Sequence, residues 1–270
     1  LIKLAIESTA KLKLGKDNTP DILFLGLSAT DGVGHHFGPH SVEQLDNYLR
    51  LDKNIMHLID FIDKEVGLDN TLFVLTGDHG VMDLPEYLKF QKISSGRVNR
   101  SAKKKVFTKI IQNIDKSIGP GKVVEFGNNF YFSSELIDEE NISATKIIKN
   151  NVTEIEGIDR ALHIKDIFNL PDSKQNSRLK NMVNPLKSPD VYILLKKNWL
   201  WKSSYGSSHG THHDYDSHVP LLISKNNSIK KVIDSDVYTV DVPVSIANIL
   251  GIDYPKNVDG KPLYIQFEHK

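Results

Sequence analysis

A short apolar segment that ends in an acid and a histidine is the strongest constraint on the fold of this chain. The run from Thr71 to Leu75 has the β-branched and aromatic content of a buried parallel strand, and Gly-Asp-His-Gly follows at positions 77–80. Asp78 and His79 are therefore expected at the carboxyl edge of a strand, where open α/β sheets bind ligands. We predict an α/β fold whose central, mostly parallel sheet is flanked by helices on both faces.

A second acid and histidine pair follows another apolar run. Ile22–Leu27 is also predicted to be a strand, and the glycine-rich stretch after it carries Asp31 and His35 four positions apart. A turn at these glycines would let both side chains converge on one cation.

A third cluster lies near residue 209 and completes the set. His209 stands in Ser-Ser-His-Gly, and His212 and His213 follow it closely. The chain contains no cysteine, so any metal must be held by imidazole and carboxylate groups. Three Asp/His clusters in one chain favour a metal site over three unrelated solvated turns.

The order of these clusters resembles a known family. Asp-x-x-x-His, then Asp-His-Gly, then His-Gly followed by Tyr-Asp-x-His-Val-Pro resembles the alkaline phosphatase superfamily, in its type I phosphodiesterase/nucleotide pyrophosphatase branch. The chain is most similar to bacterial phosphate-irrepressible alkaline phosphatases, from about Ile22 to Leu263. The resemblance implies two zinc ions over a phosphate and a Thr or Ser nucleophile.

Carried over residue by residue, the resemblance implies a complete ligand set for one zinc and a partial set for the other. The first zinc would be held by three side chains and the second by two, namely Asp31, His35 and His209 for the first and Asp78 and His79 for the second. His212 and His213 depart from the family pattern, and either could compete with His209 or support a ligand. His36 and His40 lie beside the first cluster, but the spacing favours His35.

The nucleophile of the family has no matching position here. It precedes the Asp-x-x-x-His cluster, as does one further Asp ligand, and only 30 residues of this chain lie before Asp31. Four hydroxyls in the region lack the nucleophile context: Ser8, Thr9, Ser28 and Thr30. The chain begins at Leu1 with a helical apolar pattern and no start signal. We expect a carboxyl-terminal portion of a longer enzyme, with the amino-terminal part of the fold missing.

The expected parent activity is metal-dependent hydrolysis of small-molecule phosphoric esters, with monoesters favoured. A phosphodiesterase or nucleotide pyrophosphatase is the alternative within the branch, and a sulfatase or phosphomutase the alternative within the superfamily. A zinc-binding fragment without activity is the alternative from another class. The resemblance also implies a periplasmic or cell-envelope location, although no signal peptide is visible.

Composition excludes several classes of partner. Lys and Arg number 34 and Asp and Glu also number 34, so no basic field exists for nucleic acid or an anionic membrane. No apolar run approaches the ~20 residues of a transmembrane helix. With 270 residues, 39% of them hydrophobic, the chain is predicted to be one domain over 1–270 with an accessory elaboration at about 91–190.

Periodicity predicts the other elements. Helices are expected over 1–12, 42–66, about 102–118 and 241–250, and strands over 129–133, 190–196 and 219–224. The helix from Val42 to Val66, with a capping box at Ser41 and Gln44, would join the first two strands in a right-handed βαβ unit. A solvated loop is favoured over a phosphate contact for Lys92 and Arg97. Surface positions are expected for His57, His163 and His269.

Overall fold

The computed structural model describes residues 1–226 and 231–263. In chain order its helices are α1 (Ile2–Leu12), α2 (Ala29–Phe37), α3 (Val42–Glu65), α4 (Pro85–Phe90), α5 (Arg100–Ile118), α6 (Asp138–Val152), α7 (Ile164–Phe168), α8 (Lys174–Met182), α9 (Asp214–Ser217) and α10 (Asp241–Leu250). Its strands are β1 (Leu72–Thr76), β2 (Gly96–Arg97), β3 (Val123–Phe126), β4 (Asn129–Phe132), β5 (Ile158–His163), β6 (Val191–Leu195), β7 (Trp199–Leu200) and β8 (Leu221–Lys225).

Most of the elements predicted from periodicity are confirmed. Helices α1, α3, α5 and α10 and strands β1, β4, β6 and β8 lie at or within two residues of their predicted bounds. His269 lies outside the described residues.

The predicted strand at Ile22–Leu27 is wrong. These residues pair with no strand in the described part of the chain, and β1 pairs antiparallel with β8 instead of running parallel to this segment. The predicted βαβ unit is therefore not formed. Leu25 packs against the cluster around Ala5, whereas Phe24 is 79% exposed. An apolar run becomes a strand only where a neighbouring backbone supplies the ladder hydrogen bonds, which its own composition cannot provide.

The described residues form two compact units. The first contains 1–31, 45–78 and the described residues from 219 onward, and the second contains 32–44 and 79–218. The predicted elaboration at about 91–190 belongs wholly to the second unit, and the single-domain assignment stays a prediction.

The first unit is built on one antiparallel strand pair and two helices. Leu72 of β1 lies opposite Lys225 of β8, and the register continues to Thr76 opposite Leu221. Ala5 of α1 packs with Leu58 and Ile62 of α3 in a small buried cluster. The apolar residues of α3 are buried only toward its carboxyl end, and Leu45, Tyr48 and Leu49 near its start are more than half exposed.

The second unit contains a two-layer sandwich with the largest core. Strands in the order β3-β4-β6-β5 form an antiparallel sheet, and the neighbouring helices α5 and α6 pack against its outer strands β3 and β5. Apolar side chains recur at helical spacing along both helices and face this core, namely Val106, Ile110 and Ile114 on α5 and Ala144, Ile148 and Val152 on α6. The predicted elaboration at about 91–190 thus contains a packed αβ layer.

The α/β class is confirmed, and the strand directions are mixed. Among the described strands, β2 and β7 form the parallel pair and the other pairs are antiparallel. The apolar run at β1 predicted a mostly parallel sheet, but such a run does not by itself distinguish parallel from antiparallel pairing. Within the described part of the chain, no helix combines the length and apolarity needed to cross a bilayer.

Three histidines of the second unit are buried. His163, predicted at the surface, is 8% exposed and its Nδ1 accepts the Lys165 N–H at the start of α7. His212 and His213 are 8% and 7% exposed, with ring centroids 4.4 Å apart. Burial disfavours the charged imidazole and lowers the pKa of all three, that of His212 to about 4.

Gly157 is expected to be intolerant of a side chain. Its φ is 95°, and a Cβ there would lie 2.1 Å from Cε3 of Trp199. Backbone strain and overpacking add, so Gly157→Ala should lower the free energy of unfolding by about 2 to 5 kcal/mol. Gly121→Ala is the control, because φ is 77° but the space is open, and strain alone should cost about 1 kcal/mol. Urea denaturation measures both, and equal losses would contradict the packing of Trp199.

Acid should destabilise the metal-free chain partly through His212. Its folded pKa lies below the unfolded value of 6.5, so the unfolded state binds the proton first and stability falls as pH drops from about 6.5 to 4. His212→Gln should reduce that loss by on the order of 1 to 3 kcal/mol. Thermal denaturation in chelator across this pH range tests the difference. Parallel curves for the two proteins would contradict the buried neutral imidazole.

Candidate metal centre

Helix α2 carries the first candidate pair on one face. Asp31 and His35 are four residues apart, and side chains at this spacing lie one above the other on a helix. The glycine-rich turn predicted here is therefore wrong, although the side chains of Asp31 and His35 do converge as predicted. Gly32 and Gly34 each disfavour a helix by about 1 kcal/mol relative to Ala, which is too little to override the surrounding packing.

His209 meets His35 from a distant part of the chain. The two Nε2 atoms are 3.2 Å apart and the ring centroids 4.9 Å apart. Together with Asp31 they form a group whose ligand atoms all lie within 4.8 Å of one another. Among the described residues this is the one group of three or more such ligands.

Backbone carbonyls determine which ring nitrogen faces this group. Nδ1 of His35 donates to the Ser207 carbonyl at 3.0 Å, and Nδ1 of His79 donates to the Gly80 carbonyl at 2.9 Å. A carbonyl oxygen only accepts, so both rings carry their proton on Nδ1, and Nε2 is the nitrogen that can act as an acceptor or a metal ligand. This is the arrangement that metal-binding histidines adopt.

His79 lies against the same histidine. Its ring stacks on that of His209, with centroids 3.4 Å apart and an interplanar angle of 14°. Asp78 directly precedes it and is exposed. Neither residue joins the group of three ligands, so the assignment of Asp78 and His79 to a second ion stays a prediction.

A buried guanidinium supports the loop that leads to His209. Arg97 donates to both carboxylate oxygens of Glu86 at 2.8 Å, and its remaining donors reach the carbonyls of Gly206 at 2.8 Å and Lys202 at 3.2 Å. Hydrogen bonds from Arg97 lower the pKa of Glu86. Sequence reasoning favoured a solvated loop for Arg97, which is wrong because its side chain is only 10% exposed.

Ser207 and Lys202 join that loop to helix α2. Ser207 is fully buried, its N–H donates to the His35 carbonyl at 3.2 Å, and its hydroxyl donates to the Met82 carbonyl. Nζ of Lys202 donates to the same His35 carbonyl at 2.8 Å. No sequence signal predicts these contacts, since they depend on backbone carbonyls from segments far away in sequence.

The other histidines near this group make different contacts. Nδ1 of His36 donates to the Gly32 carbonyl at 2.9 Å on an exposed ring, and His40 lies 2.9 Å from a carboxylate oxygen of Asp83. Nε2 of His213 donates to the Leu195 carbonyl at 3.3 Å, and neither it nor His212 belongs to the ligand group.

The geometry and chemistry of the group suit zinc. Two ligand atoms ~2.1 Å from one tetrahedral ion are ~3.4 Å apart, close to the 3.2 Å between the Nε2 atoms of His35 and His209. Two imidazoles and a carboxylate form a three-ligand set of the kind that leaves a fourth position open in catalytic zinc sites.

Comparison with known proteins places this geometry in a family. The family model for type I phosphodiesterase / nucleotide pyrophosphatase matches residues 3–216. The chain is 31% identical to alkaline phosphatase PhoV of Synechococcus elongatus over 92% of this chain and 45% of that protein. It is 28% identical to alkaline phosphatase PafA of Elizabethkingia meningoseptica over 93% of this chain and 46% of that protein.

The solved structure of wild-type alkaline phosphatase PafA has the same fold. It matches with a TM-score of 0.85 and 25% identity over 97% of this chain and 51% of that one. The chain thus spans about half the length of the curated relatives it matches. The family model covers most of the chain and takes in the segments that carry Asp31, His35, Asp78, His79 and His209. The chain belongs to the type I phosphodiesterase/nucleotide pyrophosphatase family of the alkaline phosphatase superfamily.

Proposed function

We propose that this chain supplies most of a two-zinc centre that hydrolyses small-molecule phosphoric esters. The observation that carries the proposal is the 3.2 Å approach of the His35 and His209 Nε2 atoms beside Asp31. The first zinc is assigned to these three side chains, and the second, in part, to Asp78 and His79. Monoesters are favoured because PhoV and PafA are named alkaline phosphatases.

The residues of the chain supply charge and orientation. Asp31 offers a carboxylate, and His35 and His209 offer neutral imidazoles, so the ligand set carries a single negative charge. When bound, two zinc ions would supply Lewis-acid stabilisation of the charge that develops on the phosphoryl oxygens. The carbonyls of Ser207 and Gly80 hold the rings of His35 and His79 in the tautomer that presents Nε2.

The nucleophile is proposed to come from outside the residues given. Thr9 is buried and its hydroxyl donates to the Ala5 carbonyl at 2.9 Å, and the hydroxyl of Thr30 accepts from Asn47 at 3.0 Å. These contacts support the inference that neither is an attacking group. Periplasmic or cell-envelope location is part of the proposal and follows from the family resemblance.

Two alternatives differ in what they predict. The name of the family model favours phosphodiester or pyrophosphate substrates, which would be hydrolysed faster than monoesters. A zinc-binding chain without activity is favoured by the absence of a recognised nucleophile, and it would bind metal but turn over neither ester.

Zinc titration of the metal-free chain should show one tight equivalent. The first site has three proposed protein ligands and the second has two, so the first should bind zinc more tightly than the second. His209→Ala removes an imidazole ligand and should weaken the tight site by more than about 100-fold, beyond the 10- to 100-fold typical of supporting residues. His212→Ala is the matched control. Two equal tight sites, or a larger loss in His212→Ala, would refute the ligand assignment.

Ester hydrolysis by the chain should be orders of magnitude slower than that of PafA. The assigned residues include no nucleophile for a covalent step and only part of a second metal site. Each of these features lowers the activation barrier for ester hydrolysis by several kcal/mol. Both proteins would be assayed on an aryl phosphate monoester and an aryl phosphate diester with zinc added. Turnover equal to that of PafA would mean that a nucleophile lies among these 270 residues.

A further inference from the structure

We infer that Asp216 is a positioning residue that holds the His79 and His209 loops in register for metal binding. The inference rests on the proposed function and extends it to a residue that binds neither metal nor substrate. Asp216 lies in the short helix α9 and is 5% exposed. A buried carboxylate is costly unless it accepts hydrogen bonds, so its partners identify what it does.

The side chain of Asp216 holds the loop that carries His209. One carboxylate oxygen, Oδ2, accepts from both the N–H and the hydroxyl of Thr211, each at 2.7 Å. Thr211 is two residues beyond His209, so this pair of short bonds determines where the chain turns after the ligand. Charge-assisted hydrogen bonds of this length are about twice as strong as neutral ones.

The backbone of Asp216 holds the loop that carries His79. The Asp216 carbonyl accepts the N–H of Gly80 at 2.9 Å. The contact is close enough that a Cβ on Gly80 would lie 2.1 Å from the Tyr215 carbonyl oxygen. Glycine is therefore required at position 80, and His79 is carried at a fixed distance from helix α9.

One residue thus connects both loops and brings their histidine rings together. His79 and His209 stack with centroids 3.4 Å apart, although 130 positions of sequence separate them. If the bonds to Thr211 were lost, His209 could rotate away from both His35 and His79. Sub-ångström placement of ligands matters because metal affinity depends on all donors converging at once.

The test compares three variants of helix α9 by zinc affinity and by the visible spectrum of bound Co²⁺. Asp216→Ala removes the acceptor and should weaken the tight zinc by about 10- to 100-fold and alter the cobalt bands. Asp216→Asn keeps an acceptor oxygen and should recover affinity to within about 3-fold of the original chain. Asp214→Ala removes an exposed carboxylate from the same helix and should change neither readout.

The outcomes separate the inference from the proposed function. If the original chain binds zinc tightly and Asp216→Ala has the same zinc affinity and the same cobalt bands, the positioning role alone is overturned. The same holds if Asp216→Asn binds zinc no more tightly than Asp216→Ala. An original chain that binds no zinc would overturn the proposed function and this inference with it. Should Asp216→Ala fail to fold, Thr211→Val removes one of the two bonds at constant shape and should cost about 3- to 10-fold in affinity. Unchanged affinity in that variant would also overturn the role.

Discussion

The hydrogen bond from His35 Nδ1 to the Ser207 carbonyl is the interaction on which the candidate centre depends. It selects one tautomer and one ring orientation, and so it leaves the Nε2 lone pair directed at His209, 3.2 Å away. Without that bond the imidazole could present either nitrogen, and the ligand group would lose its convergence. Ser207 returns the contact through its N–H to the His35 carbonyl, so helix α2 and the loop before His209 are joined in both directions.

Burial makes this small network strong. Ser207 is inaccessible to solvent and the Arg97 side chain is only 10% exposed, so water competes little with the bonds that they donate to backbone carbonyls. Each group is satisfied: Arg97 divides its donors between the Glu86 carboxylate and two loop carbonyls. A cationic side chain near a predicted phosphate site invites a role in substrate binding. In this structure Arg97 instead supports the loop backbone.

Three of the predictions that proved wrong share one cause. Residues 22–27 have strand composition, residues 29–37 have the glycines of a turn, and His163 has the polarity of a surface residue. The first pairs with no strand among residues 1–226 and 231–263, the second forms helix α2, and the third is buried at the start of α7. Local propensities amount to about 1 kcal/mol or less per residue, and tertiary packing readily exceeds that.

The sequence by itself determined the types of donor and their local spacing. These features can be read directly from the order and identity of the residues. They are the four-residue spacing of Asp31 and His35, the adjacency of Asp78 and His79, the apolar periodicity of α5 and the lack of cysteine. Only the tertiary structure decided that His35 meets His209 across 174 positions, which nitrogen the His35 ring presents, and that Asp216 connects the loops that carry His79 and His209. Those features depend on backbone carbonyl and N–H groups. Nearly every residue carries both, so no pattern of side chains could have revealed them.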